Sequence, residues 1–269
     1  MTHTTPTRES TSPRLVPLPW HTQARIALRT SRIVVLVGAP GAGKTAFIQD
    51  QCREATGLPA EELQGGPKVD DVAFFGRYVL ERDTTPFRDG PLTRALKAGT
   101  FFVLNDAGQV PFAQLSALLP LRHGNRIVNP LSLEEITVKD DFRVVLTTNQ
   151  ENASCRNNAS AMQSLLDGAL VVDVPDPTAE QMRLILRAHC PEASPEHVTR
   201  VLEVRQRFQG MLEQADDRQP RISVRALGQL LELLRAGMDE REAVAQAVVG
   251  KFLLDRDQHE AARLTASLL

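Results

Sequence analysis

The run Arg32-Ile33-Val34-Val35-Leu36-Val37-Gly38-Ala39-Pro40-Gly41-Ala42-Gly43-Lys44-Thr45 changes character in the middle. Arg32 to Val37 is short, continuous and mostly β-branched, which predicts a strand buried on both faces of a parallel sheet. Gly38 to Thr45 then reads G-x-x-x-x-G-K-[ST], and the stretch from Lys44 to Ala55 that follows is predicted to be a helix. Glycines without a Cβ let successive backbone N–H groups curl around an anion, and the helix N-terminus adds positive partial charge. A triphosphate suits such a cradle. Lys44 is expected to reach the β- and γ-phosphates as a point charge, and the Thr45 hydroxyl to enter a Mg²⁺ shell otherwise made of water and phosphate oxygen. The expected phosphate-binding residues are Gly38, Pro40, Gly41, Ala42, Gly43, Lys44, Thr45 and Ala46. The alternative is a glycine-rich strand-to-helix turn carrying a solvated lysine. It accounts for the glycines, but not for strand, lysine and threonine arriving together at the required spacing.

Three further apolar runs, Thr100 to Leu104, Phe142 to Thr147 and Ala169 to Val174, repeat the strand pattern, with helical stretches between them such as Phe112 to Leu119. This alternation predicts an α/β fold with a doubly wound parallel sheet. Upstream, Trp20, Ala24, Ile26, Ala27 and Leu28 form a partial helical stripe, and Met1 to Pro13 is a Thr-, Ser- and Pro-rich stretch read as a disordered tail. At Pro175-Asp176-Pro177 the pattern turns wholly helical. Helices are predicted over Ala179 to His189, Pro195 to Phe208, Val224 to Ala236 and Glu240 to Phe252, with a weaker one near the C-terminus. The expected organisation is a tail over 1–13, an α/β domain over 14–175 and a smaller all-helical domain over 176–269.

Composition narrows the function classes. A chain of 269 residues with 42% hydrophobic and 24% charged side chains can build a sizeable core, which excludes disorder throughout. The net charge of -2 supplies no broad positive field for nucleic acid or anionic lipid, so neither is an expected partner. Cys52, Cys155 and Cys190 show no paired spacing for a zinc site or disulfide framework, which points to a reduced, cytoplasmic compartment. No apolar run approaches the roughly 20 residues that span a bilayer, and no secretory signal is recognisable.

Beyond the phosphate loop, several stretches share the motifs of one family. Asp70-Asp71-Val72-Ala73-Phe74-Phe75-Gly76-Arg77 precedes Phe87-Arg88-Asp89-Gly90-Pro91-Leu92-Thr93-Arg94-Ala95-Leu96, which carries a G-P-L-x-x-A-L signature. Leu115 to Leu121 is followed by Arg126-Ile127-Val128 and Glu134 to Val138, then by Asp141-Phe142-Arg143 and a strand ending Thr147-Thr148-Asn149; Ser223-Val224-Arg225-Ala226-Leu227 has the form S-x-R-x-L. From about Ile33 to Val174 the chain resembles an AAA+ ATPase of the branch holding the MoxR, CbbQ/NorQ and dynein-related proteins. That resemblance implies ATP or ADP with Mg²⁺ as ligands, the helical domain as the lid, Asn149 as the sensor 1 residue and Arg225 as the sensor 2 arginine. An amide beside the phosphate loop can hold the attacking water, a lid arginine can fork onto phosphate oxygens, and Ser223 would N-cap the lid helix.

Two departures stand out. The family's second acidic motif, four apolar residues followed by Asp-Glu, here reads Phe101-Phe102-Val103-Leu104-Asn105-Asp106. Asn105 therefore takes the magnesium-anchoring position, with Thr45 and Asp106 as the other expected metal-shell residues, and Asp106 takes the water-polarising position. One carboxylate stands where two are expected. The arginine that completes a neighbouring subunit's site is also missing from Leu165-Leu166-Asp167-Gly168-Ala169-Leu170, leaving Arg122 and Arg156 as the nearest substitutes, each equally readable as a solvated loop arginine. The catalytic set expected from resemblance is Asp106, Asn149 and Arg225. The family's habits imply a self-assembling, hexameric ATPase that remodels a protein partner, a von Willebrand A-domain protein being the implied partner class. The competing expectation is a nucleotide-binding interaction module that hydrolyses ATP little or not at all, and the altered acidic pair favours it.

Overall fold

The structure, a computed structural model, describes residues 15–149, 166–212, 222–252, 263 and 266. The expected N-terminal tail, Arg156 and most of the weak C-terminal helix lie outside those residues, Arg263 and Ala266 of that stretch being helical. Contacts divide the chain into two compact units, one formed by Pro17–Pro177 and one holding the residues from Thr178 onward.

In the first unit, helix α1 (Pro19–Thr30) starts on a proline whose preset φ suits the first helical turn, and it buries Trp20, His21, Ala24, Ala27 and Leu28 along one face. Strand β1 (Ile33–Gly38) follows and runs into the phosphate loop, after which α2 (Lys44–Thr56) begins. The two helices meet through rings: His21 stacks on Phe47 with centroids 4.6 Å apart, and Trp20 packs edge-on to Phe47 at 4.8 Å. Next come β2 (Glu61–Gln64), α3 (Asp71–Phe75) and an antiparallel hairpin of β3 (Gly76–Tyr78) and β4 (Phe87–Asp89). Helix α4 (Pro91–Ala98) leads into β5 (Phe101–Asn105), and the short α5 (Phe112–Ser116) into a second hairpin, β6 (Arg126–Val128) with β7 (Glu135–Thr137). The unit closes with β8 (Arg143–Thr148) and β9 (Leu170–Val174).

Five strands form one parallel sheet in the order β2-β5-β8-β1-β9. Residues such as Val34, Val35, Phe102, Val103, Val144 and Val145 are fully buried, as expected of strands covered on both faces. Phe74, Leu92, Leu96, Phe102, Leu104 and Phe142 form the centre of the core, each worth about 1.5–3 kcal/mol for its burial. Because β1 sends its chain out to the far edge at β2 while β9 flanks it on the other side, the loop after β1 sits at the sheet's topological switch point, where ligands bind in open α/β sheets.

Two expected helices are shorter than their sequence pattern. The stretch Phe112 to Leu119 leaves the α-helix at Ser116, because Pro120 has no N–H to give the Ser116 carbonyl; a 3₁₀ turn over Leu119–Arg122 follows. The stretch from Glu240 ends its α-helix at Ala247, and after Val248 the chain continues in a 3₁₀ turn, Val249–Phe252, that contains Val249 and Gly250. The four-residue β2 was not anticipated at all.

The second unit contains α6 (Ala179–His189), α7 (Pro195–Leu212), α8 (Val224–Arg235) and α9 (Glu240–Ala247). Thr178 and Gln181 form a capping box for α6, and Ser223 Oγ accepts from Ala226 N to cap α8 as the sequence suggested. Met182, Leu186, Val198, Val201, Leu227 and Leu230 interlock in its core. Among the described residues no helix is long and apolar enough to cross a membrane.

Candidate functional site

The phosphate loop bends where glycine permits it. Gly41 and Gly43 hold φ of 77° and 87°, and Gly43 is the N-cap of α2; a side chain at Gly43 would meet nothing within 4 Å, so backbone conformation alone demands glycine there. Ala42 is buried, Pro40 and Ala46 are exposed, and the first N–H groups of α2 have no partner within the helix by position. Lys44 is 8% exposed, and its Nζ donates to Gly38 O at 2.7 Å and to Ala39 O at 2.9 Å. Burial pulls the Lys44 ammonium below its ordinary value, while Asp106 and Asp176 push it back up. A cation held by neutral carbonyls at the mouth of a ring of N–H groups fits a polyanion.

Two of the three oxygen ligands expected around magnesium, those of Thr45 and Asn105, are in contact. Thr45 Oγ1 donates to Asn105 Oδ1 at 3.2 Å, and Thr147 Oγ1 donates to the same oxygen at 3.3 Å. Asp106 follows Asn105 in a left-handed conformation, φ 50° and ψ 47°, with its N–H donating to Thr147 Oγ1 at 3.2 Å. Hydroxyl, amide oxygen and carboxylate form a hard-oxygen donor set suited to Mg²⁺. Among the described residues no cluster of three or more His, Cys, Asp or Glu could hold a metal.

Sequence reading missed the residues that surround this pair. Asn105 Nδ2 donates to Glu62 Oε2 at 3.1 Å, and Gln64 Nε2 donates to Asp106 Oδ2 at 2.7 Å. Both partners come from β2. The signal was the alternation Glu62-Leu63-Gln64, which marks a strand with one polar face, but four residues are too few to read as a strand with assurance.

The sequence profile of the AAA domain (dynein-related subfamily) matches residues 33–167, which take in the phosphate loop, the altered acidic pair and Asn149. The chain belongs to this AAA family. It is 28% identical to the denitrification regulatory protein NirQ of Pseudomonas aeruginosa over 80% of this chain and 81% of that protein. It is 26% identical to protein NorQ of Paracoccus denitrificans over 80% of this chain and 78% of that one. Against midasin of Dictyostelium discoideum it is 24% identical over 62% of its length but spans only 3% of that protein. Among solved structures, NtrX of Brucella abortus superimposes with a TM-score of 0.51 at 14% identity, covering 95% of this chain and 66% of that one, a likeness of fold.

Within this AAA domain, Asn149 is half-buried and directly follows β8. Arg225 lies in the first turn of α8, in the second unit, and is exposed. Arg122 approaches the stretch that lacks the family's arginine: a Cβ on Gly168 would fall 2.4 Å from Arg122 Nε and 2.7 Å from its Cζ. Its Nε and Nη2 are buried and have no hydrogen-bond partner among the described residues. An unpaired buried guanidinium costs stability unless a partner reaches it.

Proposed function

We propose that this chain is an ATP-binding subunit of an AAA+ assembly, hexameric by resemblance, that remodels a protein partner through ATP hydrolysis. The observation that carries this reading is the buried Lys44 ammonium at the neck of the phosphate loop, with Thr45 Oγ1 bonded to Asn105 Oδ1 at 3.2 Å beside it. The backbone from Gly38 to Ala46 binds the phosphates. Lys44 exchanges the Gly38 and Ala39 carbonyls for phosphate oxygens, trading neutral acceptors for charged ones that bond about twice as strongly. Mg²⁺ bound beside Thr45, Asn105 and Asp106 would neutralise charge on the β- and γ-phosphates. Asp106 takes the water's proton, Asn149 holds that water in line, and Arg225 couples the lid helix to the nucleotide. Arg122, whose Nε and Nη2 are buried and whose side chain lies against Gly168, would turn outward on assembly to serve a neighbouring subunit. NirQ is by name a denitrification regulatory protein; for this chain a partner with a von Willebrand A domain in a reduced cytoplasm is proposed from the family resemblance.

A second reading, a nucleotide-binding module with little or no hydrolysis, is favoured by one observation. The Asp106 carboxylate is engaged by Gln64 Nε2 at 2.7 Å, which competes with a water molecule for it. Equilibrium binding of a fluorescent ATP analogue, measured beside phosphate release on the purified full chain, tests both readings. Binding with turnover supports the ATPase and binding without turnover the module. Undiminished binding in Lys44→Ala refutes the nucleotide assignment.

A further inference from the structure

We propose that Glu62 supplies the negative charge missing from the first position of the acidic pair, acting through the Asn105 amide on the divalent cation beside Thr45. This rests on the nucleotide-binding reading above and deepens it. The charge has moved from one strand to its neighbour.

The sheet brings the two residues together. β2 and β5 pair in parallel with Glu62 opposite Val103 and Gln64 opposite Asn105, so side chains 62, 64 and 105 share one face, the face on which Thr45 and Gln49 of α2 also reach them. A carboxylate only accepts hydrogen bonds, so the Asn105 amide must turn Nδ2 toward Glu62 Oε2, at 3.1 Å. Its Oδ1 is thereby committed to the opposite side, where Thr45 Oγ1 and Thr147 Oγ1 donate to it at 3.2 and 3.3 Å. The amide's negative end thus faces the cation position, and the carboxylate behind it polarises the amide further in that direction.

Glu62 is exposed, yet it is held. Its other oxygen accepts from Gln49 Nε2, and Gln49 is fixed in turn by the Ala60 backbone, accepting from Ala60 N at 3.0 Å and donating to Ala60 O at 3.3 Å. Asparagine at 105 and glutamate at 62 are therefore a matched pair. An aspartate at 105 would offer Glu62 no donor and set two carboxylates against each other. Glu62 is a positioning residue: it touches neither phosphate nor reacting water.

The test uses the full chain with ADP and Mn²⁺ as the probe, the bound ion being counted by electron paramagnetic resonance and ADP affinity measured separately in EDTA. Glu62→Gln keeps an acceptor for the amide and removes the charge. It is expected to weaken Mn²⁺ binding to the ADP complex about tenfold, about 1.4 kcal/mol, with ADP affinity in EDTA and thermal midpoint unchanged. Asn105→Asp alone is expected to gain little, because the two carboxylates repel. The combined Glu62→Gln and Asn105→Asp chain is expected to regain at least the parent's Mn²⁺ affinity. Unchanged Mn²⁺ affinity in Glu62→Gln, or a loss that the added Asn105→Asp fails to restore, overturns the inference and leaves nucleotide binding standing. Absence of ADP binding by the parent chain in EDTA overturns the nucleotide reading, and the inference with it.

Discussion

Acidification from pH 8 to pH 5 should withdraw about 2 kcal/mol of stability through His21 alone. The ring is 2% exposed between Trp20 and Phe47, and Leu18 N donates to its Nδ1 at 3.2 Å, so the neutral form is the one that is bonded. Burial first, and the nearby Arg25 second, push it down from 6.5 to about 4. Unfolded, the same ring takes a proton at its ordinary value. Below pH 6.5 the unfolded chain therefore binds more protons than the folded one, and stability falls until the folded ring also protonates near pH 4. Above pH 6.5 the contribution is fully present. His21→Gln removes the titration while keeping an acceptor for Leu18 N, at some cost in stacking on Phe47. Urea unfolding followed by tryptophan fluorescence, at pH 8 and pH 5 for both chains, isolates the effect as the difference between the two pH dependences. The parent should lose about 2 kcal/mol more than the variant over that interval. Equal losses would show that the ring is already protonated, or accessible, in the folded state.

Other outcomes follow from the geometry. Lys44→Ala should abolish ATP binding while leaving the far-ultraviolet circular dichroism unchanged, because the side chain's bonds in the fold are to carbonyls of its own loop. Arg122→Ala should lower the turnover of the assembled protein by about 10³ with nucleotide affinity unchanged, as read by steady-state phosphate release; unaltered turnover would dismiss Arg122 as the residue acting between subunits. Cys190, whose thiol burial and Glu232 raise to about 11, should resist iodoacetamide at pH 8 in the folded chain and react once the chain is unfolded in urea, as mass mapping would report. Leu230→Ala should cost 2–5 kcal/mol of the helical unit's stability, about the usual loss for a fully buried leucine, measured by thermal unfolding.

What the sequence disclosed follows from how each element earns its place. β1, β5 and β8 were legible because strands buried on both faces must be continuous apolar runs, edge strand β9 because its valine-rich run stops at Pro175 although Leu170, Val171 and Asp173 are exposed, and the phosphate loop because its glycines, lysine and threonine are fixed by chemistry rather than by packing. β2 was hidden for the opposite reason. Its Glu61 and Glu62 serve neighbours rather than a core: Glu61 takes Arg94 of α4 on one face and Glu62 takes Asn105 on the other. Without β2, the acidic pair reads as a simple deficit of one carboxylate, which Asn105→Asp with Asp106→Glu would make good. With Glu62 at 3.1 Å from Asn105, that repair sets like charges together unless Glu62 is changed too. Proximity across sixty residues of chain, as between Thr45 and Asn105, follows from strand order, which local patterns do not state.

The position of β2 at the edge of the sheet has a kinetic consequence. The strand is four residues long and hydrogen-bonded to β5 on one side only, whereas β1 is clamped between β8 and β9. Opening free energies within one fold range from near zero at frayed margins to the global value at the centre. Amide protons of Glu62 to Gln64 should therefore exchange with solvent well before those of Val34 to Leu36. Each such opening releases Glu62 and Gln64 together, and with them the restraints on Asn105 and Asp106, while the phosphate loop stays closed on its own strand. The two halves of the proposed site would thus run on separate clocks: the anion grip would last as long as the whole sheet, and the cation side only as long as its outermost strand stays zipped.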